Sequence, residues 1–243
     1  MPDVQDRVRR RWYADYLSHP RHGPLPALLL VLTVFTGLVD AVSILALGRV
    51  FVANMTGNVV FIGFALGGAP GFSLQASVVA LVGFLAGAAV GGLLVTRHRQ
   101  HRGVLLRDAV AAELVLLVAG TVVLALGDQP YGAVRVDVVV GCAAIALGLQ
   151  NAAVRALAVP DLTTTVLTMT LTGIAADVRT KDYRTALRRL AAVVAMLGGA
   201  VVGTLLVFGP GPATALAVAC VPVAVVLVGI SRAARGTAGW HAP

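Results

Sequence analysis

Asp40 lies inside an apolar run, between Gly37-Leu38-Val39 and Ala41-Val42. A carboxylate at that depth costs about 2.5 to 3.5 kcal/mol on membrane-insertion scales, so it is protonated, paired or in contact with water. Such a group suits a proton carrier or a ligand for a coupling cation. Its plainer role is a hydrogen-bond anchor. At an offset of 111, Gly37-Leu38-x-Asp40-Ala41 aligns with Gly148-Leu149-x-Asn151-Ala152, so Asn151 keeps the shape of Asp40 without its charge, and Gln150 adds a second amide. Two further polar stretches interrupt apolar segments: Asn54, Thr56 and Asn58, and then Thr163, Thr164, Thr165, Thr168, Thr170 and Thr172. A spacing of two scatters side chains around a regular helix but lines one wall of an unwound stretch. These hydroxyls and amides can bind a neutral polar solute or supply oxygens to an alkali cation. They can also act as interhelical hydrogen bonds, worth about 0.6 kcal/mol each.

Other reactive side chains are poorly placed for chemistry. His19, His22, His98, His101 and His241 all fall in loops or tails, and Cys142 and Cys220 sit in apolar runs as small hydrophobes. No catalytic motif, metal site or cofactor-binding motif is present. An intramembrane enzyme would have Asp40 as its acid or base and no second group to shuttle the proton. Glu113, one turn from the end of its segment, is expected to snorkel or to pair with Arg107. Arg155 is expected to hold a loop through Asp161 or to attract an anion, and Pro160-Asp161 resembles a helix start.

The elements that position these residues follow from composition. Hydrophobic residues make up 58% of the chain and charged residues 12%, too little polar surface for a soluble globule of this size. Eight apolar segments span about residues 26–47, 50–67, 76–95, 109–126, 136–157, 162–176, 190–208 and 213–231. Without a ten-residue alternation they read as helices, an all-α polytopic membrane protein. The net charge of +8 comes in short clusters between apolar runs, the pattern of cytoplasmic loops beside anionic lipid and not of a nucleic-acid surface. Those clusters are Arg7 to Arg21, Arg97 to Arg107, Arg179 to Arg189, and Arg232 with Arg235. They share one side only if the second and sixth segments do not cross. The result is about six transmembrane helices plus two re-entrant or broken polar segments, with both termini cytoplasmic. Eight full crossings is the alternative.

The count also inverts one half against the other. Val82 to Val95 and Val194 to Val207 match at nine of fourteen positions at an offset of 112, which also pairs Thr56 with Thr168 and Asn58 with Thr170. Residues 26–127 then form one membrane repeat and 133–231 its inverted partner, within one integral membrane domain flanked by a basic tail (1–25) and a short C-terminal tail (232–243). Gly83, Gly87 and Gly91, matched by Ala195, Gly199 and Gly203, are small residues at the spacing of close helix packing. They predict that the third and seventh segments cross each other, or that this face mediates a homodimer.

Asp40-Ala-Val-Ser-x-Leu-x-Leu-Gly-Arg-Val-Phe-Val-Ala-Asn-Met-Thr-Gly-Asn58, Gly148-Leu-Gln-Asn-Ala152 and the threonine-rich stretch from Pro160 to Gly173 resemble the YoaK-like family of bacterial inner-membrane proteins. The resemblance covers about residues 26–230. It implies a multi-pass inner-membrane protein; the family is classed as of unknown function, so it implies no substrate. The expectation from the residues is a small-solute secondary transporter or permease. Asn54, Thr56 and Asn58 would face Thr165, Thr168 and Thr170, and Asp40 would couple transport to H+ or Na+. The rival is a non-transporting membrane scaffold or regulator.

Overall fold

The structure, a computed structural model, describes His19, residues 21–162, Thr164, Thr165, residues 167–235 and Gly239–His241, apart from the side chains of Arg184 and His241. Arg7, Arg9, Arg10, Arg11 and Thr163 lie outside the described residues. The described chain is all-α: α1 (Leu25–Ala46), α2 (Met55–Leu66), α3 (Leu74–Arg97), α4 (Arg102–Ala125), α5 (Ala133–Leu157), α6 (Leu167–Thr180), α7 (Tyr183–Phe208) and α8 (Pro212–Ala233), closed by a 3-10 turn at Gly239–His241. Pro26 and Pro212 stand in the first turns of α1 and α8, where a missing N–H costs nothing. Ser73, His101 and Asp182 cap α3, α4 and α7 through side chains that accept from the backbone N–H of Ala76, Val104 and Thr185.

Six helices of 22 to 26 residues are long and apolar enough to cross a membrane. At about 1.5 Å per residue they exceed the roughly 30 Å of hydrocarbon. Outward-facing Val82, Leu85, Leu93, Val115, Val194, Leu197 and Leu205 are exposed, an apolar surface for lipid. The second and sixth segments break as expected. After α1 the chain turns through Gly48 and Arg49 at positive φ, and after α5 through Ala158, Asp161 and Thr164. The helices that follow have 12 and 14 residues, about 18 and 21 Å, too short to cross. The expected start at Pro160-Asp161 is not a helix start: the left-handed backbone of Asp161 and Thr164 delays α6 to Leu167.

The small-residue faces pack, but on different partners from those expected. Among the described residues α3 and α7 make no contact; α3 packs on α5, and α7 on α1. The reason is that α1 and α5 carry their own close-approach glycines. A Cβ on Gly37 would lie 2.1 Å from the Met196 carbonyl oxygen, and one on Gly148 would lie 2.1 Å from that of Phe84. In return, a Cβ on Gly199 would meet the Val34 oxygen at 2.0 Å and one on Gly87 the Ile145 oxygen at 2.0 Å. Gly83, Gly91 and Gly203 sit against Ala144, Ala152 and Ala41 of the same two seams. Side-chain-free glycine–glycine crossings let the backbones touch, which maximises dispersion in lipid. The remaining contacts close the bundle: α4 on α5, α8 and the 3-10 turn, α1 on α8 and more lightly on α5, α2 and α4 on α3, and α6 and α8 on α7.

The ends of the helices sort into two faces. Arg102, at the start of α4, donates to the Arg21 carbonyl at 3.1 Å and to the carbonyl of Leu157, the last residue of α5. Trp240 covers Gly23 and Gly103. The start of α1, the start of α4, the end of α5 and the C-terminal turn therefore meet on one face, as six crossings require. The turn around α6 belongs to that face, and α2 to the opposite one.

Candidate functional site

Asp40, 8% exposed, sits in the last third of α1 and reaches the unwound segment that precedes α2. Its Oδ1 accepts from the backbone N–H of Val52 and of Ala53, each at 3.2 Å. Asn58 pins the same segment from the other side. Its Oδ1 accepts from Phe51 N–H at 2.9 Å and its Nδ2 donates to the Phe51 carbonyl at 2.6 Å, so one amide satisfies both polar groups of one residue. Irregular backbone at membrane depth survives only where protein or water supplies these bonds. Asn58 is the buried residue of α2, whereas Asn54 and Thr56 are exposed. Beside this segment, on the same face, an open cleft of about 540 Å³ is lined by Ile44, Leu45, Gly48, Arg49, Phe72 and Ser73.

The corresponding region after α5 repeats the logic with different groups. Thr165 donates to Asn151 Oδ1 at 3.3 Å, a contact at the place where Ala53 meets Asp40 when 111 or 112 is added to each number. Thr170 is the buried residue of α6 and Thr168 is exposed. Ion pairs hold the turn. Asp161 accepts from Arg189 Nε at 2.8 Å and Arg188 at 3.4 Å, and Arg189 also pairs with Asp177 at 2.9 Å. Asp161 is therefore held by α7, and Arg155, expected as its partner, is exposed instead.

The two polar hairpins are not brought together. Among the described residues α2 and α6 make no contact, so Thr56 and Asn58 of α2 are not packed against Thr168 and Thr170 of α6. What the fold does bring together is a polar seam between α1 and α5. Gln150, fully buried, lies within 3.5 Å of Thr36 Oγ1 on α1 and 3.1 Å from Thr164 Oγ1. Thr36 is one turn before Asp40, and Gln150 adjoins Asn151.

Glu113 of α4 completes this seam, and the expectation that it snorkels is wrong. It is fully buried, with its carboxyl oxygens 2.7 and 3.2 Å from the Gln150 amide, while Arg107 pairs with Asp108 at 2.8 Å. The sequence held no clear signal, since α4 is apolar all round; in the structure Leu106, Ala109, Leu117, Gly120 and Leu124, at helical spacing around Glu113, are all buried. That stripe puts position 113 on the inner face of α4. Among the described residues no group of three or more potential metal ligands exists.

The comparisons agree with this architecture. The family model described as "Protein of unknown function (DUF1275)" matches residues 28–229. The UPF0700 transmembrane protein YoaK of Bacillus subtilis (strain 168) is 31% identical over 185 residues, which cover 72% of this chain and 81% of that protein. No solved structure matches. Six membrane-length helices, the match over nearly the whole bundle and the similarity to a transmembrane protein make this chain a multi-pass membrane protein of the DUF1275 family.

Proposed function

We propose that the protein is a small-solute permease or secondary transporter of the bacterial cytoplasmic membrane, coupled to H+ or Na+ through Asp40. The observation that carries this reading is the grip of one buried carboxylate on two backbone N–H groups of an unwound segment. Bonds from N–H to a charged oxygen are about twice as strong as those to a neutral one. A proton or cation bound at Asp40 would weaken that grip and free the segment beside the open cleft, which is the coupling a transporter needs. The paired contacts of α1 with α7 and of α5 with α3 support two inverted repeats that rock against each other. Arginines at the face shared by the termini support a cytoplasmic location for both tails.

The test is uptake into proteoliposomes under an imposed pH or sodium gradient, using a panel of small neutral and cationic solutes. Wild-type protein is expected to accumulate at least one of them, and Asp40→Asn to lose gradient-driven accumulation while remaining folded. Full gradient-driven uptake by Asp40→Asn would end the coupling role.

A second reading has its own observation. Asp40, Asn58 and Asp161 all have protein partners, as in a non-transporting scaffold whose polar residues hold broken helices in place. In that case Asp40→Asn, which keeps an acceptor oxygen, changes nothing.

A further inference from the structure

Gln150 can be turned two ways, and one of them demands a proton on Glu113. With its nitrogen toward Glu113, Gln150 donates to the carboxyl oxygens at 2.7 and 3.2 Å, and its own oxygen accepts from the Thr164 hydroxyl at 3.1 Å. With its nitrogen toward Thr164, it donates there at 3.1 Å and lies within 3.5 Å of Thr36 Oγ1, which already donates to Leu32 O at 2.9 Å and so is free to accept. The amide oxygen then stands 2.7 Å from a Glu113 oxygen. Two acceptor oxygens at that distance need a proton between them. An ionised Glu113 thus fixes the amide nitrogen toward itself, whereas the acid form also admits the turned amide.

We infer that Glu113 and Gln150 form a second buried proton-binding site, in which the proton on Glu113 sets the direction of the Gln150 amide and so its bond to Thr36 of α1. Uptake of one proton from water converts the carboxylate to a carboxylic acid whose O–H donates to the Gln150 oxygen; the amide nitrogen swings to Thr164 and Thr36. Loss of that proton to water reverses both changes. The site links α4, α5 and α1, and reports to the helix that carries Asp40. It stands whether or not the protein transports a solute.

The surrounding charges leave Glu113 without an ionic partner. On α4 itself Arg102 binds carbonyls and Arg107 binds Asp108. On the elements packed against α4, the charged groups are Arg97 on α3, Arg135, Asp137 and Arg155 on α5, and Arg232 on α8. Cys142 and Cys220 are the thiols there, and Cys220 contacts Thr121. None of these is bonded to Glu113 among the described residues.

Glu113 is the only glutamate in the sequence, so glutamate-specific carbon-13 labelling reports this one carboxyl in the unaltered protein. The experiment is pH-difference infrared spectroscopy of labelled protein in lipid nanodiscs, paired with a sample carrying nitrogen-15 in glutamine side chains. The expected result is a labelled carboxylic-acid band that disappears as pH rises, with a glutamine amide shift that follows the same titration. The acid band should persist in Asp40→Asn, and the amide shift should vanish in Gln150→Ala. A labelled carboxyl with no protonation change across the titration, or one that titrates while the glutamine signal stays still, would overturn the site. The wild-type arms decide the matter even if a variant fails to fold.

Discussion

Asp40 accepts from two successive backbone amides, and that geometry separates two substitutions that both remove its charge. Asp40→Asn retains an oxygen for Val52 and Ala53, so the unwound segment should stay in place and thermal stability should change little. Asp40→Ala leaves two buried N–H groups unpaired, each costing about 1 to 3 kcal/mol, and should lower the midpoint of unfolding clearly in a detergent melt. Asn58→Ala removes both partners of Phe51 and belongs with Asp40→Ala. Equal melts for all three would remove the anchoring role. Asp40 and Asn58 were legible in the sequence because a polar side chain amid apolar neighbours must find a partner. Glu113 was not, because its nearness to the end of its segment offered a cheaper escape to water than its helical face allows.

The glycine seams determine how the helices stack. Ala at Gly37, Gly87, Gly148 or Gly199 would drive a methyl into a facing carbonyl oxygen, and such overpacking costs about 1 to 3 kcal/mol. Gly92 and Gly198, next to the stripes but with nothing within 4 Å of an added Cβ, should accept Ala without loss. Melting temperatures of the six variants test this, and a similar loss at all six would contradict the seam assignment. The stripes in α3 and α7 could be read from sequence, but their partners could not. A small-residue face states that a helix is approached closely, not by which helix, and the receiving glycines Gly37 and Gly148 belong to segments noticed for Asp40 and Asn151. The short helix α6 depends on Asp161, Arg189 and Asp177. Asp161→Asn should raise amide hydrogen exchange across Leu167–Thr180 and leave α3 and α5 unchanged; unaltered exchange in α6 would mean that the ion pairs carry no structural load.

The face that carries Arg21, His22 and Arg102 is sensitive to pH. Burial, with Arg102 beside it, holds His22 below its ordinary value of 6.5, so the folded tail prefers the neutral ring. The docking that His22 supports is therefore complete above pH 6.5 and is lost as pH falls from there toward the depressed folded value. Trp240, packed on Gly23, should show a shift in fluorescence on acidification in a Trp12→Phe background, and His22→Phe should abolish that pH dependence. A constant spectrum in wild type would show that the ring plays no part. At this scale the sequence favoured six membrane-length helices over eight, because only then do the arginine clusters share one side, and the structure has six such helices. The sequence did not carry the absence of contact between α2 and α6. Opposite insertion suggested facing hairpins, whereas the close glycine seams of α1 with α7 and α5 with α3 keep each hairpin at its own face.

The most direct measurement is labelling of Asn54→Cys, Thr56→Cys and Thr168→Cys, in a background lacking Cys142 and Cys220, with a membrane-impermeant thiol reagent applied to intact cells or to inside-out vesicles. Positions 54 and 56 should react from the outside alone and position 168 from the cytoplasmic side alone, the two entrances of an inverted pair. Labelling of all three from one side would contradict the proposed inverted arrangement. Silence at all three while loop cysteines react would remove the water-reachable entrances on which the permease reading depends.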